Sequence, residues 1–338
     1  MKAYAGIDLH SSNNYIGIIN EEDQRLYQKR LPNRLENILE ALEPFKESME
    51  AVVVESTYNW YWLVDGLQDH GYKVHLANPS AIKQYEGLKH TDDKWDSFWL
   101  AHIKRLNILP EGYIYPKKER PVRDLLRRRL LFVRHRTSHI LSLQSTIART
   151  LGYKMSSREI KRLDRSQVDQ LFDESFLLLA AGNSISTIRF LSERIAEIEK
   201  ELKSHIKLRP EFKYLLTIPG IGNILALTIM LEVGNIGRFP KVGNYSSYCR
   251  CVKSERLSNN KKKAEGNRKN GNKYLSWAYV EAANFAIRNY PEFQSFYNRK
   301  KAHSNRIIAI KALSNKLARA SYYIMRDQVP YDPKRLFS

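Results

Sequence analysis

Ala3-Tyr4-Ala5-Gly6-Ile7-Asp8, continued by Leu9-His10-Ser11-Ser12 and then Asn13 to Ile19, is the stretch whose reading decides the fold. The apolar run Ala3 to Ile7 predicts a buried strand, and Tyr15 to Ile19 predicts the strand that returns beside it. Asp8 stands where the core strand runs out into the turn. A carboxylate there is commonly a turn cap, but a strand end backed by a sheet also holds a side chain as rigidly as a metal ligand requires. What separates the two readings is whether other carboxylates occur in matching places.

They do. Outward from the hairpin, Arg25 to Leu31 predicts a third strand and Asn33 to Phe45 an amphipathic helix with Leu35, Ile38, Leu39 and Leu42 on one face. Glu50 to Val54 is a second buried run, and it ends in Glu55. Trp60 to His70 predicts a helix and Tyr72 to Ala77 another strand, so a meander passes into alternating helices and strands: a mixed α/β sheet with crossovers. Asp8 and Glu55 then fall at the C-terminal ends of neighbouring strands, the edge of such sheets where sites form. His90-Thr91-Asp92-Asp93-Lys94-Trp95-Asp96-Ser97 opens a further helix. Asp93 and Asp96, three apart, project from one face of it. An Asp-rich first turn also suits the helix dipole. With Asp8 and Glu55, however, the pair completes four hard oxygen ligands suited to Mg²⁺ or Mn²⁺.

Composition sets the wider class. The chain has 338 residues, 43% hydrophobic and 27% charged, as expected for a soluble globular protein of two or three domains. No apolar run approaches the ~20 residues of a membrane span, so no membrane partner is expected. Met1-Lys2-Ala3 leads straight into a strand without a signal-peptide pattern. Cys249 and Cys251 are too few for a disulfide framework, which points to a reducing, cytoplasmic setting, and their apolar neighbours make them small core residues. Nine scattered histidines and no second cysteine pair argue against structural zinc. The formal charge is +20, unevenly spread: residues 1–100 carry 10 Lys/Arg against 16 Asp/Glu, the remainder 46 against 20. An acidic first part and a strongly basic rest suggest a metal-holding part and a polyanion-holding part, with nucleic acid as the polyanion.

The Gly-Ile-Asp strand, the strand-end Glu55 and the Asp93-x-x-Asp96-Ser97 helix resemble the DEDD-type transposase domain, which has a resolvase-like, ribonuclease H-like fold. This domain opens the serine-dependent insertion-sequence recombinases associated with bridge-RNA guidance, relatives of the pilin-gene invertase. Members of the family usually show Asp-x-x-Asp-Ala; Ser97 replaces the Ala here. Asp92 competes with Asp93 as third ligand, although the spacing favours Asp93.

In the basic part, Pro121 to about Tyr153 predicts a long helix in which Arg123, Arg127, Arg128, Arg129, Arg134 and Arg136 alternate with leucines. Such a helix either lies along a phosphate backbone or presents a solvated face. Gly152 to Asp164 is polar and predicts a break. Ser184 to His205 carries Ile188, Leu191, Ile195, Ile198 and Leu202 at spacings of three and four. That is a coiled-coil seam, either to the Pro121 helix or to a second subunit. Leu215-Leu216-Thr217-Ile218-Pro219-Gly220-Ile221-Gly222 predicts a turn between helices whose Gly220 and Gly222 let backbone N–H groups approach a phosphate, or a plain interhelical turn. The same stretch, leading to Gly234-x-x-x-Arg238-Phe239, resembles the start of the family's C-terminal transposase domain.

Tyr248 to Lys273 holds Arg250, Lys253, Arg256, Lys261, Lys262, Lys263, Arg268, Lys269 and Lys273 against only Glu255 and Glu265. Rich in Asn, Gly and Ser, it predicts a mobile loop that orders on a polyanion. Lys269-Asn270-Gly271-Asn272-Lys273-Tyr274-Leu275 resembles the family's Lys-x-Gly-Asn-x-x-Leu motif. The resemblance implies a nucleophilic serine upstream, here Ser258 with Ser254 the second choice, although Leu257 and Asn259 stand where the family has Ser and Gly. Lys273 to Ile287 and Ser304 to Arg326 predict closing helices.

The architecture expected is α/β + α: a ribonuclease H-like mixed sheet over 1–115, a helical coiled-coil region over 119–208, a mainly helical basic transposase domain over 209–328 and a tail over 329–338. The resemblance implies a transposase or site-specific recombinase. Asp8, Glu55, Asp93 and Asp96 would hold two divalent ions and Ser258 would attack a DNA phosphate. The implied partners are element-end and target DNA, a structured guide RNA, and further copies of the chain in a dimer or tetramer. Two other readings stay open: a metal-dependent nuclease resolving branched DNA by water attack, and a non-catalytic nucleic-acid-binding derivative of a transposase.

Overall fold

The computed structural model of the protein describes residues 1–82, 93–203, 209–252, 255–258, 261–265 and 270–337, with backbone only for 93–94, 255–258, 261–265 and 337. The chain forms two compact units, 1–117 and 118–338.

In the first unit β1 (Ala3–Leu9), β2 (Asn13–Asn20), β3 (Arg25–Pro32), β4 (Met49–Glu55) and β5 (Val74–Ala77) make a five-stranded sheet in the order β3-β2-β1-β4-β5. The two hairpin pairings are antiparallel, whereas β1–β4 and β4–β5 are parallel. Strand alternation decides what each face carries. Ala3, Ala5, Ile7 and Leu9 point to one core, shared with α1 (Leu35–Leu42) and α2 (Tyr61–Asp69). Gly6 and Val53 point the other way, toward α3 (Asp93–Arg105), whose Leu100 and Ile103 pack with Val53. Helix α1 is shorter than the expected Asn33 to Phe45. Pro44 lacks the N–H that would continue it, and the chain passes into a 3-10 turn over Glu43–Ser48.

The second unit is built on two long helices, α4 (Arg120–Leu151) and α7 (Ser175–Lys203), packed on each other. The expected seam is buried in this packing at Ile188, Leu191, Ile195 and Leu202, with Ile198 partly buried. Helix α7 starts nine residues before the expected Ser184 because Ala181 and Ile185 extend the same stripe. The stretch read as a break, Gly152 to Asp164, instead holds α5 (Ser157–Ile160) and the cap of α6 (Arg165–Asp169). Each is opened by a capping box, Ser156 with Glu159 and Asp164 with Gln167. Ile160 and Val168 plug these short helices into the core of the two long ones.

Residues from the start of α4 and the end of α7, Val122, Leu126 and Leu202, share a second core with α8 (Glu211–Leu215), α9 (Asn223–Val233), α10 (Val242–Tyr248), α11 (Lys273–Asn289) and α13 (Arg306–Asp327). Sequence reading missed α12 (Pro291–Ala302), which begins with proline at its first position and buries Phe293 and Phe296. The tail ends in α14 (Pro333–Phe337), anchored by buried Leu336. The basic loop contains an antiparallel pair, β6 (Glu255–Ser258) and β7 (Lys261–Glu265), in which Ser258 pairs with Lys261.

Candidate active site at the sheet edge

The pairing of β1 with β4 runs through Ile7 opposite Val54, so the next residues along, Asp8 and Glu55, come level at the C-terminal edge. Both belong to the alternation set that faces α3. Asp8 is buried, at 4% exposure, and its Oδ2 lies 3.1 Å from His10 Nε2. Its carboxyl also meets that of Glu55 in a side-chain hydrogen bond, and the charge of Asp96, half-buried on α3, reaches the same place. Burial, then the hydrogen bond and negative charge of Asp8, then Asp96 push the Glu55 carboxyl up to about 8. Three acids far apart in sequence therefore meet, and their mutual repulsion is held off by a proton.

The docking of α3 rests on missing side chains. A Cβ on Gly6 would stand 1.9 Å from the carbonyl oxygen of Ser97, and one on Gly17 would stand 2.8 Å from Ser97 Oγ. Glycine inside a strand here marks close approach of another backbone. Ser97 itself is fully buried, so only a small side chain fits that turn of α3.

As to metal, no group of three or more His, Cys, Asp or Glu among the described residues is placed as a ready ligand set. The Asp93 side chain is outside those residues, and Asp92 wholly so. By donor chemistry the set fits a hard divalent cation. It offers carboxylate oxygens, and the repulsion that raises the Glu55 carboxyl is what a cation would relieve. His10 is a contributor that sequence reading passed over; its place two residues past Asp8 at a strand end was the available signal.

In the second unit the expected residues divide. Gly220 has φ +85° and a Cβ on it would stand 2.2 Å from the Ala282 carbonyl oxygen, so its bareness serves packing on α11. Gly222 opens α9 and has open space around it. Ser258, Arg256 and Lys261 to Lys263 are described by backbone alone, while Lys253, Ser254, Arg268 and Lys269 lie outside the described residues. Cys249 and Cys251 are buried, and burial pushes the Cys251 thiol up to about 12. They are core residues and poor nucleophiles. Sequence reading missed Glu232, 1% exposed in the apolar α9. It accepts from Arg127 Nε at 2.6 Å, Arg127 Nη2 at 2.8 Å, Arg123 Nε at 3.1 Å and Asn272 Nδ2 at 2.7 Å. A lone acid in the run Ile224 to Val233 was the signal, since a buried charge needs partners.

Two transposase models match parts of the chain. One, of the DEDD transposases of the IS110 type, matches residues 5–151; the other, described as the transposase IS116/IS110/IS902 family, matches residues 212–298. Residues 5–151 and 212–298 are thus similar to the two parts of IS110/IS116 transposases. It is 30% identical over 141 residues to the transposase for insertion sequence element IS1328 of Yersinia enterocolitica, covering 40% of this chain and 42% of that one. It is 25% identical over 235 residues to the transposase for IS1111A of Coxiella burnetii, covering 68% and 63%. The putative transposase y4qE of Sinorhizobium fredii is 24% identical over 296 residues, covering 83% and 71%. The chain thus spans less than two thirds of the length of the first two relatives. Among solved structures, T. thermophilus RuvC in complex with a Holliday junction substrate superposes with a TM-score of 0.26 at 16% identity, covering 33% of this chain and all of that one. A score that low adds nothing to the assignment. Among the described residues no helix is long and apolar enough to cross a membrane.

Proposed function

We propose that this chain is a transposase of the IS110/IS116 type, encoded by an insertion sequence and cutting and rejoining DNA through a serine nucleophile. The observation that carries the reading is the convergence of Asp8, Glu55 and Asp96 on one sheet edge, with Glu55 driven up to about 8 by its acidic neighbours. Asp8, Glu55, Asp93 and Asp96 would hold Mg²⁺ or Mn²⁺. When bound, the ions would supply Lewis-acid stabilisation of the charge that develops on a phosphate.

The chain's own residues do the rest. Asp8 and Glu55, fixed by the β1–β4 register, orient the site, and Asp8 holds His10 beside it. Ser258, or Ser254 in its place, attacks phosphorus. A serine Oγ–P bond forms as one P–O bond to deoxyribose breaks, the serine proton passes to solvent or a neighbouring base, and the released deoxyribose oxygen takes one up. Attack by another strand's hydroxyl on the phosphoserine ester rejoins DNA and frees the serine, conserving the phosphodiester bond energy. The cations of the Tyr248 to Lys273 segment, with Gly222 at the start of α9, would hold phosphates. A structured RNA encoded by the element and further copies of the chain complete the assembly in this reading.

The test is denaturing electrophoresis of a labelled element end incubated with the protein, transcript from the element's non-coding flank and Mg²⁺. Wild type is expected to give a labelled band at protein mass. Ser258→Ala is expected to bind the DNA and give neither adduct nor cleaved strand, and Asp8→Asn to give no adduct. Cleavage by Ser258→Ala without any adduct would assign the chemistry to water and make the chain a nuclease. An adduct that persists in Ser258→Ala moves the nucleophile to Ser254.

A further inference from the structure

The arginines of α4 do different jobs. Arg123 and Arg127 are bound to Glu232, Arg129 Nε donates to Glu199 Oε1 at 2.7 Å, and Arg136 donates to Ser192 Oγ at 3.1 Å. These four hold helices together. Arg128 and Arg134 are exposed and, among the described residues, make no ion pair or hydrogen bond. Both line a cavity of about 320 Å³ whose far wall is the first turn of α11, Lys273 and Tyr274. Lys273 is exposed too.

We propose that this concavity is a phosphodiester-binding groove, with Arg128, Arg134 and Lys273 as its contact cations and the Tyr274 ring as its wall. The inference rests on the reading that the chain handles nucleic acid and names where. Arg128, Arg134 and Lys273 face one carboxylate, Asp124, so the concavity carries an excess positive charge that focuses on an anion. Arg128 and Arg134 are six residues apart, about 9 Å along the helix axis. That spans between two and three base-pair rises of about 3.4 Å on one strand, so the two arginines fit separate phosphates two or three nucleotides apart.

The groove is also pre-shaped. Arg127 is fixed by its two bonds to Glu232 and lies 4.3 Å over the Tyr274 ring, which sets that ring's position. Asn272 caps α11 by accepting from the N–H groups of Tyr274 and Leu275, at 2.8 and 3.1 Å, and donates to Glu232. One buried carboxylate thus fixes both walls, and ordering them takes little from binding.

The experiment measures anisotropy of a labelled duplex DNA of arbitrary sequence, and in a second arm a labelled single-stranded RNA, across a salt series. The proteins are wild type, Arg128→Gln/Arg134→Gln/Lys273→Gln, and a control that removes three exposed cations elsewhere, Lys154→Gln/Arg158→Gln/Arg162→Gln. Arg127 is left intact because its loss would strand Glu232. The groove variant is expected to bind more weakly in at least one arm. Its log–log salt slope should fall by about 0.9 per contact on duplex or about 0.7 on single strands, with the control near wild type. The arm that changes identifies DNA or RNA as the ligand. An unchanged slope in both arms, or an equal loss in the control, overturns the groove and leaves the transposase reading standing. A wild type that binds neither probe overturns both. Urea melts of all three proteins are expected to coincide, since every replaced side chain is exposed.

Discussion

Asn272 donates its side-chain N–H to Glu232 Oε2 across 2.7 Å, tying the first turn of α11 to the end of α9. The asparagine belongs to the Gly271-Asn272-Lys273 motif, and its own N–H reaches the Tyr248 carbonyl at 2.6 Å. Gly271, with φ +82° and no room for a Cβ beside that carbonyl, makes the approach possible. Arg250 Nε donates to Asn270 O at 2.9 Å, closing the two ends of the basic segment on each other. A motif that reads in sequence as nucleophile-associated is, in the fold, a clamp at the root of the segment that contains Ser258.

Glu232 is the stake in that clamp. Glu232→Gln leaves two arginines partly or wholly buried without their counter-charge, a change that costs about 3–5 kcal/mol in comparable sites. Urea melts at neutral pH are expected to show a loss in that range. Burial alone would raise this carboxyl, but hydrogen bonds from Arg127 and Asn272 and the charges of Arg123 and Arg127 hold it below the ordinary value. A depressed folded pKa contributes stability that is present above the ordinary 4.5 and lost as pH falls through the folded value. The gap between wild type and Glu232→Gln should therefore be full at pH 7 and shrink in acid. A gap of constant size would show that Glu232 is not ionised in the fold.

Gly6→Ala should separate α3 from the sheet. With the new methyl 1.9 Å from Ser97 O, the contact is to backbone and no side chain can swing away. Overpacking costs about 1–3 kcal/mol where neighbours relax, and this site is at the upper end or beyond. Gly112→Ala is the control, because its Cβ would meet Leu76 at an ordinary 3.4 Å. Thermal melts should show a large loss for the first variant and little for the second; similar melts would mean that α3 does not rest on β1 in solution.

Mg²⁺ binding should depend on pH through Glu55. A carboxyl pushed up to about 8 is largely protonated at neutral pH, so binding a cation there must release a proton. Calorimetric titration is expected to show affinity rising with pH until about 8 and flattening above. Proton release should be visible at pH 7 in buffers of different ionisation enthalpy. Without added metal the sign reverses for stability. A raised folded pKa contributes stability that is full below the ordinary 4.5 and lost as pH rises through about 8. Asp8→Asn removes the neighbouring charge, so Glu55 should titrate lower and the ion should bind more weakly. Equal affinity and equal proton release in both proteins would remove Asp8 from the ligand set.

By itself the sequence determined the elements and their faces. The alternation in Ala3 to Leu9 and Glu50 to Glu55, and the stripe from Ile188 to Leu202, follow from the two local periods of strand and helix, which need no knowledge of the partner. For the same reason Asp8, Glu55 and Asp96 were legible as ends of elements. Only the tertiary structure decided what those elements meet. The seam of α7 is as apolar toward α4 as toward a second subunit, and packing within the chain buries it. Ser156 and Asp164, read as loop residues, are caps because Ile160 and Val168 find an apolar cleft to fill. The six arginines from Arg123 to Arg136 are alike in sequence, yet four are committed to partners and two face open space. That division depends on Glu232, Glu199 and Ser192 arriving from positions 56 to 109 residues away. A charge's role is set by the nearest opposite charge in space, and no local pattern records it.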